Sequence, residues 1–153
     1  MTVKPIPDGY HTVTPYLIIN GAKDAIEFYK KAFGATEVFR LNTPTGDIAH
    51  AEINIGGSTI MLAEPCSDSP ASSPESLGGS TIAIHLYVED VDAIFEQAID
   101  AGALDLKSVE DQFYGDRTGT LQDPFGHIWF IGTHKEDLTV EETQKRAAEI
   151  YGV

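Results

Sequence analysis

The stretch TPYLIINGAKDAIEFYKKAFGA (residues 14–35) recurs later in the chain as AIHLYVEDVDAIFEQAIDAGA (residues 83–103). Leu17 falls on Leu86, 69 residues later, and both stretches end in Gly-Ala, which the second copy reaches one residue earlier. The same offset places Gly46-Asp47 on Gly115-Asp116 and Gly57 on Gly126. Because the order of predicted elements repeats as well, the chain is predicted to contain two copies of one module.

The first module, about residues 12–64, reads as βαβββ. Residues 12–19 are rich in β-branched and aromatic side chains and predict a strand despite Pro15. Residues 21–33 carry apolar side chains at helical spacing and stop at a glycine, which predicts an amphipathic helix. Three further strands are predicted at 36–41, 48–55 and 58–63, the last two joined by a Gly56-Gly57 hairpin turn.

The second module, about residues 81–134, repeats this order. A strand at 81–88 precedes an amphipathic helix, and further strands are predicted near 104–109, 117–122 and 127–132. The Pro-, Ser- and Gly-rich residues 65–80 have the composition of a linker. A capping-box sequence at residues 139–142 predicts a C-terminal helix over about 139–151. We therefore expect a single α+β domain over residues 1–153.

Composition narrows the classes of partner. The 153 residues are 42% hydrophobic, enough for a packed core, and carry a formal charge of −14. Such acidity repels nucleic acid and anionic membranes, so neither is an expected partner. Cys66 is the single cysteine, and the sequence shows neither an apolar signal core nor a membrane-spanning run. The expected location is cytoplasmic.

The paired modules, the tract Gly115-Asp116-Arg117 and the turn Asp123-Pro124-Phe125-Gly126-His127 resemble the glyoxalase/bleomycin-resistance/dioxygenase superfamily, also called vicinal oxygen chelate proteins. The resemblance spans residues 12–134. It is most similar to the PhnB-like branch of small bacterial proteins, on the strings His50-Ala51-Glu52, His85-Leu86-Tyr87-Val88-Glu89-Asp90-Val91 and Phe113-Tyr114-Gly115-Asp116-Arg117. It implies two curved mixed sheets around a cavity, and commonly a homodimer. Members include metal-dependent lyases, isomerases, dioxygenases and transferases, and also proteins that bind and sequester drugs.

The resemblance also locates the positions that hold a metal in metal-using members. They fall on Thr14 and Met61 in the first module and on Ala83 and Phe130 in the second. None of the four is His, Asp, Glu or Cys, so the set is a poor one for a divalent cation. No cofactor is predicted, although a divalent metal at a displaced site stays open.

Other residues are expected to face the cavity from strand alternation and turn geometry. The Gly56-Gly57 turn sets Glu52 opposite Met61 and places His50 on the same face. Pairing Gly119 with Phe130 about the Asp123–Gly126 turn would leave Arg117 inward. The predicted ligand-binding residues are Tyr16, Met61, His85, Tyr87, Tyr114, Arg117 and Phe130, and the predicted catalytic residues are His50 and Glu52.

Two interpretations of these residues stay open. In the functional one, His50 and Glu52 act as base and orienter, or hold a noncanonical metal with His85, while Arg117 clamps an anionic group. In the structural one, His50 and Glu52 satisfy each other across a half-buried sheet, and Arg117 pairs with Asp116 or Glu110 at the surface.

Three functions follow from these interpretations. The first is metal-independent binding or sequestration of a small aromatic or anionic molecule, for which aromatic walls with few polar groups are typical. The second is a lyase, isomerase or transferase that uses a displaced metal or His50/Glu52 acid-base chemistry. The third is a scaffold whose cavity is filled by its own side chains.

Overall fold

A computed structural model describes residues 2–153, and the chain forms two compact units. One unit holds the chain as far as Ser80 together with Pro124–His127, and the other holds Thr81–Asp123 and Ile128–Val153. No helix within the described residues is long and apolar enough to cross a membrane.

The first unit contains a four-stranded mixed sheet and a helix. Strand β1 pairs in parallel with β4, and the other neighbours are antiparallel, in the order β1-β4-β3-β2. The predicted βαβββ order is thereby confirmed. The elements are β1 (Tyr16–Ile18), α1 (Ala22–Phe33), β2 (Thr36–Asn42), β3 (Ile48–Ile55) and β4 (Ser58–Ala63).

The ends of α1 and β1 follow from single residues. Helix α1 ends where Gly34 adopts a left-handed conformation and its N–H reaches back to the carbonyls of the last turn, as predicted. Strand β1 is shorter than the predicted 12–19. Pro15 has no N–H to donate to a ladder, although its carbonyl still accepts from the Met61 amide at 2.9 Å.

The segment between the modules is not wholly a linker. It contains the short helix α2 (Pro74–Leu77), which Ser73 caps by accepting a hydrogen bond from the Ser76 amide at 3.3 Å. Ser73 is fully buried and Pro74 packs beside Gly126, where a Cβ would lie only 2.7 Å from the proline ring. Composition alone does not reveal the capped turn that buries Ser73 within this segment.

The second unit repeats the arrangement and adds a C-terminal helix. Its sheet has the order β5-β8-β7-β6, with β5 parallel to β8. Thr139 caps the last helix by accepting from the Glu142 amide at 3.1 Å, which confirms the predicted start. The elements are β5 (Ala83–Tyr87), α3 (Val91–Ala101), β6 (Leu104–Asp111), β7 (Asp116–Gln122), β8 (Ile128–His134) and α4 (Val140–Tyr151).

The predicted repeat is visible in strand register. Tyr16 lies opposite Met61 in the first sheet, and His85 lies opposite Phe130 in the second. Both residues of the second pair lie 69 positions after those of the first. The offset read from the sequence therefore relates structurally equivalent positions.

The hairpin between β7 and β8 corrects one predicted register. Thr120, not Gly119, lies opposite Phe130, because five residues, Asp123–His127, connect the paired Gln122 and Ile128. A one-residue slip moves every side chain to the other face of a strand. Arg117 therefore shares a face with Gly119, which packs against Phe95 of α3, and the prediction that it faces inward is wrong.

The core of the second unit lies on this α3-covered face. Leu121, Trp129 and Ile131 are fully buried there. The indole nitrogen of Trp129 donates to the buried carboxylate of Asp123 at 2.9 Å, which satisfies both polar groups. Trp129 therefore serves the packing of this core.

Candidate functional site

The first sheet has one buried and one open face. Leu17, Ala51 and Leu62 lie on the buried face, and each is almost fully inaccessible. The open face carries a cross-strand row of Tyr16, Met61, Glu52 and Phe39 on β1, β4, β3 and β2 respectively. The hairpin register predicted for Glu52 and Met61 is confirmed, so these two side chains share a face.

A cavity of about 410 Å³ lies on this open face. Much of its wall is the irregular segment formed by residues 5–14, which we call the N-terminal strap. The strap is held to the sheet where Thr59 donates to the Gly9 carbonyl at 3.0 Å and where the Tyr10 hydroxyl donates to Glu52. The lining residues are Pro5, Ile6, Pro7, Tyr10, His11, Thr12, Thr14, Glu52 and Met61.

Four side chains form a continuous hydrogen-bonded chain at this site. Tyr16 Oη lies 2.9 Å from His50 Nδ1, and His50 Nε2 lies 3.1 Å from Glu52 Oε1. The other carboxylate oxygen of Glu52 accepts from Tyr10. A neutral imidazole that accepts at Nδ1 and donates at Nε2 satisfies every partner. The structure thus brings together the two predicted catalytic residues, His50 and Glu52, and Tyr16.

The carboxylate of Glu52 dominates the electrostatics of the cavity. Glu52 is only 4% exposed, and no lysine or arginine is among the lining residues. The hydrogen bond to Glu52, with burial, raises the pKa of the Tyr10 phenol, so Tyr10 stays a donor at neutral pH. A cavity with one buried carboxylate and neither lysine nor arginine in its lining suits an uncharged or positively charged ligand better than an anion.

The strap is the part of the site that sequence reasoning missed. Residues 5–11 carry neither the period of a helix nor that of a strand, and residues 12–14 were predicted to belong to the first strand, so no signal showed that this segment covers a sheet face. Tyr10 and Pro7 stand close to a predicted strand in the sequence, which was the available hint.

The positions that hold metal in metal-using relatives do not fit a metal here. Thr14 and Met61 line the first cavity, whereas Ala83 and Phe130 lie on the second sheet. A hydroxyl, a thioether and two hydrocarbon side chains make a poor donor set for a divalent cation. Within residues 2–153, no group of three or more His, Cys, Asp or Glu is arranged to hold a metal ion.

The remaining predicted ligand-binding residues lie in the second unit, and four of them cluster. The rings of His85 and Tyr87 are 4.4 Å apart between centroids, and His85 and Phe130 are 6.4 Å apart. Tyr114 lines a small cavity with His85 and Phe130.

Arg117 is engaged elsewhere. Its guanidinium donates to both carboxylate oxygens of Asp92 on α3, at 2.8 and 2.9 Å, and to Asp111 at 3.2 Å. These bonds raise the pKa of Arg117 and lower that of Asp92. Arg117 thus forms ion pairs, as the structural interpretation expected, and does not clamp a ligand. Its partners are Asp92 and Asp111, however, and not the expected Asp116 or Glu110.

A second polar cluster was not predicted. The buried carboxylate of Asp116 accepts from the Tyr87 hydroxyl at 2.6 Å and lies 2.7 Å from His134 Nδ1. His134 Nε2 lies 2.8 Å from Asp137. Hydrogen bonds to Asp116 and Asp137 raise the pKa of His134. Burial opposes ionisation of Asp116, but the bonds from Tyr87 and His134 outweigh it and lower its pKa. The available signal was strand position. Asp116 begins β7 and His134 ends β8, so the two residues lie opposite each other in this antiparallel pair.

Comparison with known proteins decides the family. A family profile described as Glyoxalase/Bleomycin resistance protein/Dioxygenase superfamily matches residues 10–131. The chain belongs to this superfamily. The fold and the resemblance read from the sequence are therefore confirmed.

Similar proteins come from bacteria and a plant. An uncharacterised Mycobacterium bovis protein, Mb0911c, is 42% identical over 135 residues, which cover 86% of this chain and 89% of that protein. The solved structure of the Arabidopsis thaliana At5g48480 product has a TM-score of 0.64 at 30% identity, covering 80% of this chain and 98% of its own. The PhnB protein from Bacillus cereus has a TM-score of 0.64 at 17% identity, covering 80% and 99%, and shows the shared fold alone.

Proposed function

We propose that this superfamily member binds a small, largely apolar molecule in the first-sheet cavity, and that this binding needs no metal. The ligand is aromatic or similarly flat, and it is uncharged or positively charged at one end. The observation that carries the proposal is an open cavity of about 410 Å³ whose largely apolar walls carry one buried carboxylate. The side chains at the four metal positions are poor metal ligands, which supports binding without a metal.

The size and composition of the cavity support a small-molecule ligand. Its volume lies within the range of about 300–1,000 Å³ that is usual for such sites. Ile6, Met61 and the strap prolines supply hydrocarbon surface, while Tyr10 and Glu52 supply polar groups at one point. A ligand would thus be held by apolar contact and oriented by one hydrogen bond. An open cavity of this size also supports binding over the scaffold alternative.

The charge of the site further restricts the class of ligand that can bind. The anionic alternative depended on Arg117, which lies on the α3 side of its sheet and is paired with Asp92. Glu52 would instead repel an anion and accept a hydrogen bond from an amine, amide or hydroxyl. We therefore retain the aromatic ligand class and replace the anionic one.

A blocking substitution tests this proposal. Thr14 lines the cavity, so Thr14→Trp should fill it and abolish the binding of 1-naphthalenemethanol measured by calorimetry. Thr45→Trp is the matched control, because Thr45 is exposed in the β2–β3 loop outside the cavity lining. Equal binding by both variants, or no binding of apolar probes by the unmodified protein, would refute the proposed site.

An acid-base enzyme is the second candidate, and the hydrogen-bonded order Tyr16–His50–Glu52 favours it. Glu52 could hold the His50 ring while His50 Nδ1 exchanges a proton through the Tyr16 hydroxyl. Conversion of a bound ligand that stops in His50→Gln while binding persists would favour this candidate. Bound ligand recovered unchanged would favour sequestration.

A homodimer is also proposed. The open face of the first sheet leaves Tyr16, Phe39 and Leu41 between 40 and 56% exposed, which is surface that a second copy would bury. Light scattering coupled to size-exclusion chromatography should give twice the chain mass of 16.6 kDa, and a monomer at micromolar concentration would contradict this. The cytoplasmic location stays a prediction, testable by cell fractionation.

A further inference from the structure

We infer that the open face of the second sheet carries a separate binding site for a small oxyanion, such as phosphate or a carboxylate group. This site lies outside the first-sheet cavity and takes a ligand of opposite charge preference. It is a cavity of about 170 Å³, room for about six water molecules. The lining residues are His85, Lys107, Gln112, Tyr114, Thr118, Thr120 and Phe130.

The repeat makes the difference between the two sheets explicit. In the second sheet, His85, Phe130, Thr120 and Lys107 form one cross-strand row on β5, β8, β7 and β6. The equivalent row of the first sheet contains a carboxylate, Glu52, where Thr120 stands in the second. The same framework therefore presents a carboxylate on one sheet and hydroxyl, imidazole and ammonium groups on the other.

The groups around the second cavity are hydrogen-bond donors that are available to a ligand. Within residues 2–153, the Thr118 and Thr120 hydroxyls and the ring nitrogens of His85 have no hydrogen-bond partner. No carboxylate lines the cavity. Hydroxyl, imidazole N–H and ammonium groups converging on a small volume are the donors that an oxyanion requires.

Gly132 allows the imidazole to lie close to the sheet. A Cβ at this position would sit 3.3 Å from His85 Nε2 and 3.1 Å from the Thr118 methyl group. The absence of a side chain thus lets His85 and Thr118 approach each other across β8. The ring of Tyr87 contacts the His85 ring edge to face, with 4.4 Å between the ring centroids.

The charged side chains nearest to this cavity are either hydrogen-bonded to other residues or paired in a weak, exposed ion pair. Asp116 accepts hydrogen bonds from Tyr87 and His134, so its charge is engaged. Lys107 pairs with Glu110 at 2.9 Å, and both side chains are more than half exposed. Exposed pairs of this kind are weak, so Lys107 can turn toward an anion in the cavity at little cost.

Substitutions of Lys107 and of Glu110 should change phosphate binding in opposite directions. Lys107→Gln should weaken the binding of inorganic phosphate by about 1.5- to 5-fold, the range for one exposed charge pair. Glu110→Gln should strengthen phosphate binding, because it frees Lys107 and removes a repelling charge. Binding is followed by nuclear magnetic resonance shifts of the His85 ring and the Thr118 and Thr120 amides, at constant ionic strength set with chloride.

Matched controls come from a second lysine–glutamate pair of the same sequence spacing. Lys30 and Glu27 on α1 are also three residues apart and lie 3.0 Å from each other in the first unit. Lys30→Gln and Glu27→Gln make the same changes in net charge and should leave phosphate binding unchanged. An equal effect of the two lysine substitutions would show a nonspecific charge effect and overturn the inference.

The two proposals fail independently. Thr14→Trp should block 1-naphthalenemethanol but leave the phosphate-induced shifts of His85 intact. Phosphate shifts at Tyr10 and Glu52, or none at His85, Thr118 and Thr120, would overturn the second site without deciding the first.

Discussion

The hydroxyl of Tyr10 donates a hydrogen bond to the buried carboxylate of Glu52, which lies 42 residues further along the chain. This bond and the bond from Thr59 to the Gly9 carbonyl are the two polar ties of the N-terminal strap to the sheet. The strap forms much of the cavity wall, so its position and the shape of the cavity depend on these ties.

Loss of the Tyr10 tie should loosen the strap. In Tyr10→Phe, amide hydrogen exchange over residues 8–14 should become about three- to ten-fold faster, the range expected for losing one hydrogen bond. Tyr151→Phe, which changes an exposed tyrosine on α4, is the control. Exchange that stays at the wild-type rate would show that apolar contact alone holds the strap.

The His134 pairing makes stability depend on pH. Because Asp116 and Asp137 raise the pKa of folded His134, its contribution is full below the ordinary histidine pKa of about 6.5. That contribution is lost as the pH rises through the raised value. The free energy of unfolding of wild type should therefore fall toward that of His134→Gln over this rise, measured by urea denaturation. His11→Gln controls for loss of an exposed imidazole; parallel pH curves for wild type and His134→Gln would contradict the prediction.

Asp116 should produce the opposite dependence at low pH. Its lowered pKa means that its contribution is full above the ordinary aspartate pKa of about 3.9 and is lost as the pH falls through the lowered value. Asp116→Asn should flatten the acid limb of the stability curve. The control is Asp105→Asn, which changes an exposed aspartate. If Asp116→Asn lost stability at low pH as steeply as wild type does, other carboxylates would be responsible for that loss.

Gly119 is needed for the close packing of β7 against α3. A Cβ at this position would lie 2.7 Å from the Phe95 ring and 2.9 Å from Val109, so Gly119→Ala should cost about 1–3 kcal/mol of unfolding free energy. Gly79→Ala is the matched control, since a Cβ there meets nothing within 4 Å. A neutral effect of Gly119→Ala in urea denaturation would contradict the observed register.

Arg117 should prove dispensable for ligand binding. Because its guanidinium is paired with Asp92 and Asp111 on the α3 side, Arg117→Gln should leave 1-naphthalenemethanol affinity within about two-fold of wild type. Calorimetry measures this, with Arg146→Gln as the control. A loss of ten-fold or more in Arg117→Gln alone would show that Arg117 takes part in the first-sheet site.

The two hairpins show why register could be predicted in one place and not in another. The two-residue Gly56-Gly57 turn fixes Ile55 opposite Ser58, and the placement of Glu52 followed correctly from it. The Asp123–His127 connection has five residues, which a sequence pattern cannot distinguish from four. The resulting one-residue slip moved Arg117 to the wrong face.

Parts of the site with no periodic pattern were beyond sequence reasoning. Residues 5–11 of the strap could not be recognised from the sequence, because an irregular backbone imposes no alternation of apolar and polar side chains. The pairs Tyr10–Glu52 and Asp116–His134 join residues distant in sequence, and only the folded chain brings them together. By contrast, the strands and the repeat were predictable because burial of one sheet face imposes their pattern directly.

The charge preference of the first-sheet cavity tests the central claim most directly. Three probes with one ring system, 1-naphthylmethylamine, 1-naphthalenemethanol and 1-naphthoate, are titrated against wild type and Glu52→Gln by calorimetry. In wild type the amine should bind at least about ten-fold more tightly than the carboxylate, with the alcohol between them, and Glu52→Gln should remove that order. Equal or tighter binding of the carboxylate by wild type, or an unchanged order in Glu52→Gln, would contradict a site organised around the Glu52 carboxylate.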